Sequence, residues 1–117
     1  MISAYQSALS ALQAFGTGIH SNADNIANNN TDGFKRTRVT QTAMQPQGVQ
    51  ATVEKVNTQG PMVYKETNNG LELIEQSNVD MASELIDMGM NANLYKANLK
   101  TIQTSDKILA SLLDIKA

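Results

Sequence analysis

The residues able to do chemistry are scattered along this 117-residue chain rather than gathered. Glu72 with Glu75, and Glu84 with Asp87, are the carboxylate pairs that general acid–base catalysis could use. The sequence sets no nucleophile, metal ligand or apolar pocket beside either pair, so both read as surface charge. His20 is the only histidine, which excludes a triad or a histidine-rich metal site and leaves it a polar helix position. Gly16 and Gly18 lack the rest of either nucleotide-binding pattern. Cysteine is absent, so there is neither a disulfide frame nor a thiolate metal site. Lys35, Arg36 and Arg38 form a small basic cluster. It reads as a solvated strand face, or more sharply as a contact for an acidic patch on a neighbouring subunit. A net charge of −2 argues against a nucleic-acid partner. We therefore expect no catalytic, cofactor-binding or metal-binding residues.

The remaining sequence must position an interface. From about Val79 to Ile115 there is no proline and one glycine, Gly89. Met81, Leu85, Met88, Ala92, Tyr95, Leu99, Ile102, Asp106, Leu109 and Leu113 recur at alternating steps of four and three, and all but Asp106 are apolar. This is a heptad seam on one helix ~55 Å long at ~1.5 Å per residue. Asp106 either sets register or faces water. Ser77 with Asp80 resembles a capping box, and Asp80, Glu84 and Lys116 suit the helix dipole.

A partner helix is available at the other end. Over 2–28 the same test gives Ile2, Tyr5, Leu9, Leu12, Gly16, Ile19, Ala23 and Ile26. Ser3 is a candidate N-cap. Ala4, Ala8, Ala11 and Phe15 form a second stripe of mostly small residues where another backbone could come close. Gly16 and Gly18 predict a soft point or bend. Three asparagines, which tolerate the left-handed conformation, and Asp32-Gly33 close the helix; Phe34 anchors the turn.

Between the helices the pattern changes to valine, threonine and turn residues, predicting short strands near 36–43, 49–56, 62–66 and 71–75 as a small β-ribbon. The fold class is thus mainly α: long terminal helices pair as an antiparallel coiled-coil-like hairpin around a short β/loop insert. The divisions are 1–35, 36–77 and 78–117, one structural domain overall. No apolar run reaches the ~18 residues of a membrane span, and the N-terminus lacks the pattern of a cleaved secretory signal.

Ile86, Met90, Leu94, Ala97, Ile108, Leu112 and Ile115 lie off the first seam of the last helix. Pairing the two ends leaves them in water, each large one forfeiting ~1.5–3 kcal/mol of burial. Such a patch predicts packing against other subunits.

The turn Ala27-Asn28-Asn29-Asn30-Thr31-Asp32-Gly33-Phe34 and the stretch Ala92-Asn93-Leu94-Tyr95-Lys96-Ala97-Asn98-Leu99 together resemble the N- and C-terminal signatures of the bacterial flagellar basal-body rod and hook family. The insert is short for that family, as in its proximal-rod members. The resemblance implies a structural axial subunit of the rod, exported without a cleaved signal through the flagellar type III apparatus. It would assemble by helix packing, with itself and with other axial proteins, into a tube that transmits torque across the periplasm. The implied assembly residues are Ile2, Tyr5, Leu9, Leu12 and Ile19; Asn28, Asn30, Thr31, Gly33 and Phe34 in the turn; and Leu85, Tyr95, Asn98, Leu99, Ile102 and Leu109. A soluble helical adaptor or export-associated protein docking on rod subunits is the alternative, and an enzyme is a remote one.

Overall fold

A computed structural model describes residues 2–116. Two helices frame the chain: α1, Ile2–Ala27, and α2, Met81–Lys116. Between them lie β1 (Thr37–Ala43), β2 (Val49–Lys55), β3 (Met62–Thr67) and β4 (Gly70–Glu75). The predicted strands are present, but as two separate antiparallel hairpins, β1–β2 and β3–β4, and not one ribbon. The molecule is elongated, 79 × 24 × 20 Å. Among the described residues no helix is long and apolar enough to cross a membrane.

The helices pair antiparallel: Gly16 lies opposite Tyr95, Gly18 opposite Asn91, and Asn22 bonds Glu84. The β1–β2 hairpin also lies along α1, with the Val49 N–H donating to Ser10 Oγ at 3.1 Å. Two layers thus press on one helix. The residues that α1 buries are accordingly small: Ala8, Ala11, Ala14 and Gly18. Ala8 and Ala11 belong to the expected small-residue stripe, but Ala4 is exposed and Phe15 half-buried, and the stripe continues through Ala14 and Gly18 instead. The larger seam, Ile2, Tyr5 and Leu9, is exposed, while Leu12 and Ile19 are half-buried. Close approach wins because an alanine face lets two neighbours bury backbone as well as side chains.

Gly18 does not bend α1, which is continuous. A Cβ on Gly18 would lie 2.7 Å from the Asn91 carboxamide nitrogen, so the residue serves closeness.

The inward face of α2 is rotated about one position from the expected seam. Met88, Ala92, Tyr95 and Ile102 are half-buried as anticipated, but Glu84, Asn98 and Ser105 turn inward instead of Leu85, Leu99 and Asp106, and Asn91 joins Ala92. Leu85, Leu99, Asp106 and Leu109 are exposed. The reason lies on α1, where buried Asn22 continues the small stripe and takes its polar partners, Glu84 and Asn91, from α2. The cap also differs. Asp80, and not Ser77, is the N-cap, accepting from Ala82 N–H at 3.2 Å and Ser83 Oγ at 3.0 Å. Ser77 Oγ instead accepts from Val79 N–H.

The β3–β4 hairpin packs on neither helix. It is held at its base, where Lys35 pairs with Glu75, Lys65 pairs with Asp32, and Gln76 N–H donates to Pro61 O at 2.8 Å.

If the small stripe is the packing surface, Ala14→Leu will cost about 1–3 kcal/mol by overpacking. Leu9→Ala, on the exposed seam, will cost about 0.5 kcal/mol or less. Urea-denaturation midpoints of the two variants measure the contrast.

Candidate functional site

The polar residues converge where α1, the start of β1 and the start of α2 meet. Strand pairing explains why they are needed there. Val56 N–H donates to Arg36 O and Met44 N–H to Gly48 O, so the even-numbered residues of this strand bond toward β2. The alternation of an antiparallel ladder turns the backbone groups of Thr37 to the free edge. Asn25, on α1 and fully buried, takes both: its Oδ1 accepts from Thr37 N–H at 2.9 Å and its Nδ2 donates to Thr37 O at 2.8 Å. The carboxamide acts as a one-residue strand. Ser21 adds a hydroxyl contact of 2.6 Å with Thr37 Oγ1.

Asn78, just before α2, does the same for the adjoining pair. Its Oδ1 accepts from Arg36 N–H at 2.7 Å, and its Nδ2 donates to Val56 O at 2.8 Å and Thr58 O at 3.0 Å. One asparagine from each side therefore grips the Arg36–Thr37 backbone.

The Arg36 side chain continues the network. Its guanidinium lies 3.3 Å from Glu84 Oε1, and the other Glu84 oxygen accepts from Asn22 Nδ2 at 2.8 Å. Asn91 Nδ2 donates to Asn22 Oδ1 at 2.9 Å. The Glu84 side chain is only 2% exposed, so its charge depends on these partners, because a buried ion without them costs several kcal/mol. Glu84 is thus not surface charge, as the sequence suggested. Among the described residues no buried side-chain polar atom lacks a partner.

Nearby, Lys35 pairs with Glu75, whose carboxylate also accepts from Gly60 N–H at 2.8 Å. The ammonium and the amide hold the Glu75 carboxyl below the usual carboxylate range. This clip is present at neutral pH and is lost as the pH falls through that lowered value. Arg38 pairs with Glu54. The basic cluster is therefore engaged by carboxylates of its own chain; Lys35 and Arg36 are half-buried, while Arg38 and Glu54 lie on a solvated strand face.

A cleft of about 230 Å³ lies between α1, β1 and α2, lined in part by Gly18, Asn22, Val39, Asp87, Met90 and Leu94. Among the described residues no group of three His, Asp or Glu could hold a metal ion. What the junction does is mechanical: it fixes the two helices and a hairpin at one point.

The signature turn leads into this junction. Asn28 Nδ2 donates to Asp24 O at 2.9 Å, and Thr31 Oγ1 to Asn28 Oδ1 at 3.1 Å. Asn78 N–H donates to Phe34 O at 3.2 Å, and Phe34 is half-buried. Gly33 takes φ +70° and its N–H donates to Glu75 O at 2.8 Å. No non-glycine residue described has positive φ, so the asparagines close α1 by hydrogen bonding and not by a left-handed turn. Asn30, Thr31 and Gly33 are exposed; Tyr95, Asn98 and Ile102 are half-buried.

Sequence reasoning missed Asn22, Asn25, Asn78, Glu84 and Asn91. The available signal was periodic: Asn22 and Asn25 extend the Ala11, Ala14, Gly18 stripe at helical spacing.

Residues 72–115 match the family described as "Flagellar basal body rod FlgEFG protein C-terminal". The chain is also similar to the flagellar hook protein FlgE of Salmonella typhimurium and to that of Salmonella typhi. Each is 34% identical over 64 residues, which is 55% of this chain and 15% of the hook protein. The chain thus spans only a small part of the length of these relatives. The 72–115 match begins within β4 and takes in Asn78, Glu84 and Asn91 of the junction.

Asn25→Ala strips Thr37 of both backbone partners and is expected to cost about 1–3 kcal/mol. Thermal or urea denaturation reads this loss; an unchanged midpoint would show that water replaces the carboxamide at no cost.

Proposed function

We propose that this chain, whose residues 72–115 match the basal body rod C-terminal family and which is similar to flagellar hook proteins, is a structural axial subunit of the rod. In this role copies pack by their helices into a tube that spans the periplasm and transmits torque. The partners are further copies and other rod or hook proteins, reached after export through the flagellar type III apparatus without a cleaved signal.

The observation that carries the proposal is the outer surface of α2. With its inner face spent on Asn22 and the alanine stripe, the helix still exposes Leu85, Ile86, Ile108 and Leu112, each 45% or more accessible, and Met90 and Leu94 are exposed at the rim of the cleft. A large apolar surface of that kind on a helix marks an interface. Ile2, Tyr5, Leu9, Leu99 and Leu109 are exposed and available to a neighbouring subunit. So are Asn30, Thr31 and Gly33 in the turn. Leu12, Ile19, Asn28, Phe34, Tyr95, Asn98 and Ile102 are half-buried and offer a neighbour less surface.

One observation favours a second reading, a soluble helical adaptor that docks on rod subunits. The polar junction is satisfied within a single chain, which would let that chain fold alone.

Circular dichroism combined with light scattering, from dilute to concentrated protein, separates the two. An axial subunit gains helix and mass together; an adaptor is fully helical at every concentration. The Ile86→Ser, Ile108→Ser, Leu112→Ser triple variant should lose assembly more than helicity: its mass stays low at every concentration while its helix content does not fall below that of the dilute wild type. Normal assembly of that variant would refute the interface.

Gly33→Val forces a β-branched residue to φ +70° in open space, so strain and not crowding is the defect. It should abolish or sharply reduce motility when supplied to a strain lacking the wild-type gene; full motility would exclude a role for the turn.

A further inference from the structure

The β1–β2 hairpin covers α1 and stops there: no strand packs on α2. β1 is the strand nearer α2, for the cleft between them is lined by Val39 and Gln41 on one side and by Asp87, Met90 and Leu94 on the other. The even-numbered residues of β1 bond toward β2, so Val39 and Gln41 turn their N–H and C=O groups to the free edge. Asn25 occupies that edge at Thr37, while the backbone groups of Val39 and Gln41 take part in no described hydrogen bond. A free strand edge beside an apolar helix face is the kind of groove in which an extended segment binds by strand addition.

The same molecule holds a strand of matching phase. Gln76 N–H donates to Pro61 O, so the odd-numbered residues of β3 bond toward β4, and Met62, Tyr64 and Glu66 turn their backbone groups outward. Their side chains share one hairpin face with Leu71 and Leu73, and all four apolar residues of that face are exposed. A two-stranded hairpin is marginal without further strands or a helix to pack on, and β3–β4 packs on neither helix of its own chain. On β1, Thr37 and Val39 are half-buried and Arg38 and Thr40 exposed, so the odd-numbered side chains face the helices. Residues that exchange hydrogen bonds in an antiparallel pair stand directly opposite and point to one face. Paired in this way with Val39 and Gln41, Met62 and Tyr64 turn toward the helices, and Leu71 and Leu73 turn with them. The opposite phase on either strand would send that face to water. The width fits as well: two added strands extend a sheet by ~10 Å, against the ~8–10 Å between the axes of packed helices. Charge does not select the strand, since the cleft holds both signs, Arg36 and Arg38 with Glu84 and Asp87.

We propose that β3 of a second copy adds antiparallel to the free edge of β1, so that the sheet runs β2, β1, β3, β4 and its apolar face covers Met90 and Leu94 of α2. A chain cannot do this to itself. Glu75 ties the base of β3–β4 to Lys35, at the start of β1, so the two strands leave one junction together and could pair only in parallel. Parallel pairing staggers the bonded residues and turns the apolar face outward. Between copies the contact joins two different surfaces, so each copy keeps one of each for the next, and the contact propagates instead of closing as a pair. It rests on the axial-subunit role proposed above and specifies one of the contacts that role requires.

The chain has no cysteine, so introduced thiols are unique. Opposed residues of a hydrogen-bonded antiparallel pair have Cα atoms ~5.5 Å apart, within disulfide reach. Full-length Gln41→Cys, mixed with Met62→Cys, Tyr64→Cys or Glu66→Cys and oxidised under assembling conditions, should give an intermolecular disulfide dimer with at least one of the three, whichever register is taken. Thr42→Cys, exposed on the reverse face, should give none. One chain carrying both thiols of the reactive pair should give a ladder of multimers. Gln41→Pro removes an N–H that β2 does not use; it should keep the circular dichroism spectrum of the dilute wild type and assemble less than wild type at every concentration. If the wild type assembles by light scattering but none of the three pairs cross-links, or Gln41→Pro assembles as wild type does, the contact is wrong and the axial role stands. A cross-linked monomer from the chain with both thiols also overturns it, as does Tyr64→Cys joining itself, or Thr42→Cys joining β3, as readily as Gln41→Cys does. If neither assembly nor cross-link occurs, both fall.

Discussion

The primary amide of asparagine carries a donor and an acceptor side by side, the same pair that a peptide unit offers to a neighbouring strand. Asn25 and Asn78 use this likeness on adjacent residues, Thr37 and Arg36. The β1–β2 hairpin ends, in effect, in two side chains, one from α1 and one from the segment opening α2. Everything else follows from that grip. α1 must lie close enough for a short side chain to reach the strand, so its face is alanine and glycine. α2 must bring groups that satisfy Asn22, so Glu84 and Asn91 occupy positions where leucine would otherwise sit.

A polar seam of this kind fixes register more firmly than an apolar one. Sliding leucine past leucine exchanges one apolar contact for another. Sliding α2 by a turn would leave Glu84 and Asn22 buried without partners, at about 1–3 kcal/mol per orphaned group and more for the charge. The junction therefore holds the helices in one relative position, while the outer face of α2 keeps its apolar surface for use elsewhere.

The gross architecture was legible in the sequence. Absence of proline and heptad spacing gave both helices, and valine- and turn-rich spacing gave four strands within a residue or two of those observed. The details that failed share a cause. Periodicity ranks residues by hydrophobicity, so it chose Leu85 and Leu99 over Glu84 and Asn98, which the structure turns inward. It treated Gly18 as a weakness because helix propensity ignores the neighbour that needs the space. Asn25 and Asn78 were invisible because their partners are backbone groups, which leave no pattern in side-chain chemistry. The assembly residues are a different matter: the sequence and the fold define which of them are accessible, and contact with a neighbour lies outside a single chain.

The hairpin β3–β4 ends in a two-residue turn, Asn68-Asn69, on an arm that packs on neither helix. Its strands are anchored only at the base, by Glu75, Pro61 and the signature turn. The turn is therefore a place where chain length is uncoupled from the frame. Extra residues there need only leave and return across one strand spacing, and the entropy of closing such a loop grows by about 0.6 kcal/mol for each doubling of its length. The helical pair with its asparagine grip is thus a chassis: a whole domain could be hung from that turn, and the junction would bear it without a single hydrogen bond being redrawn.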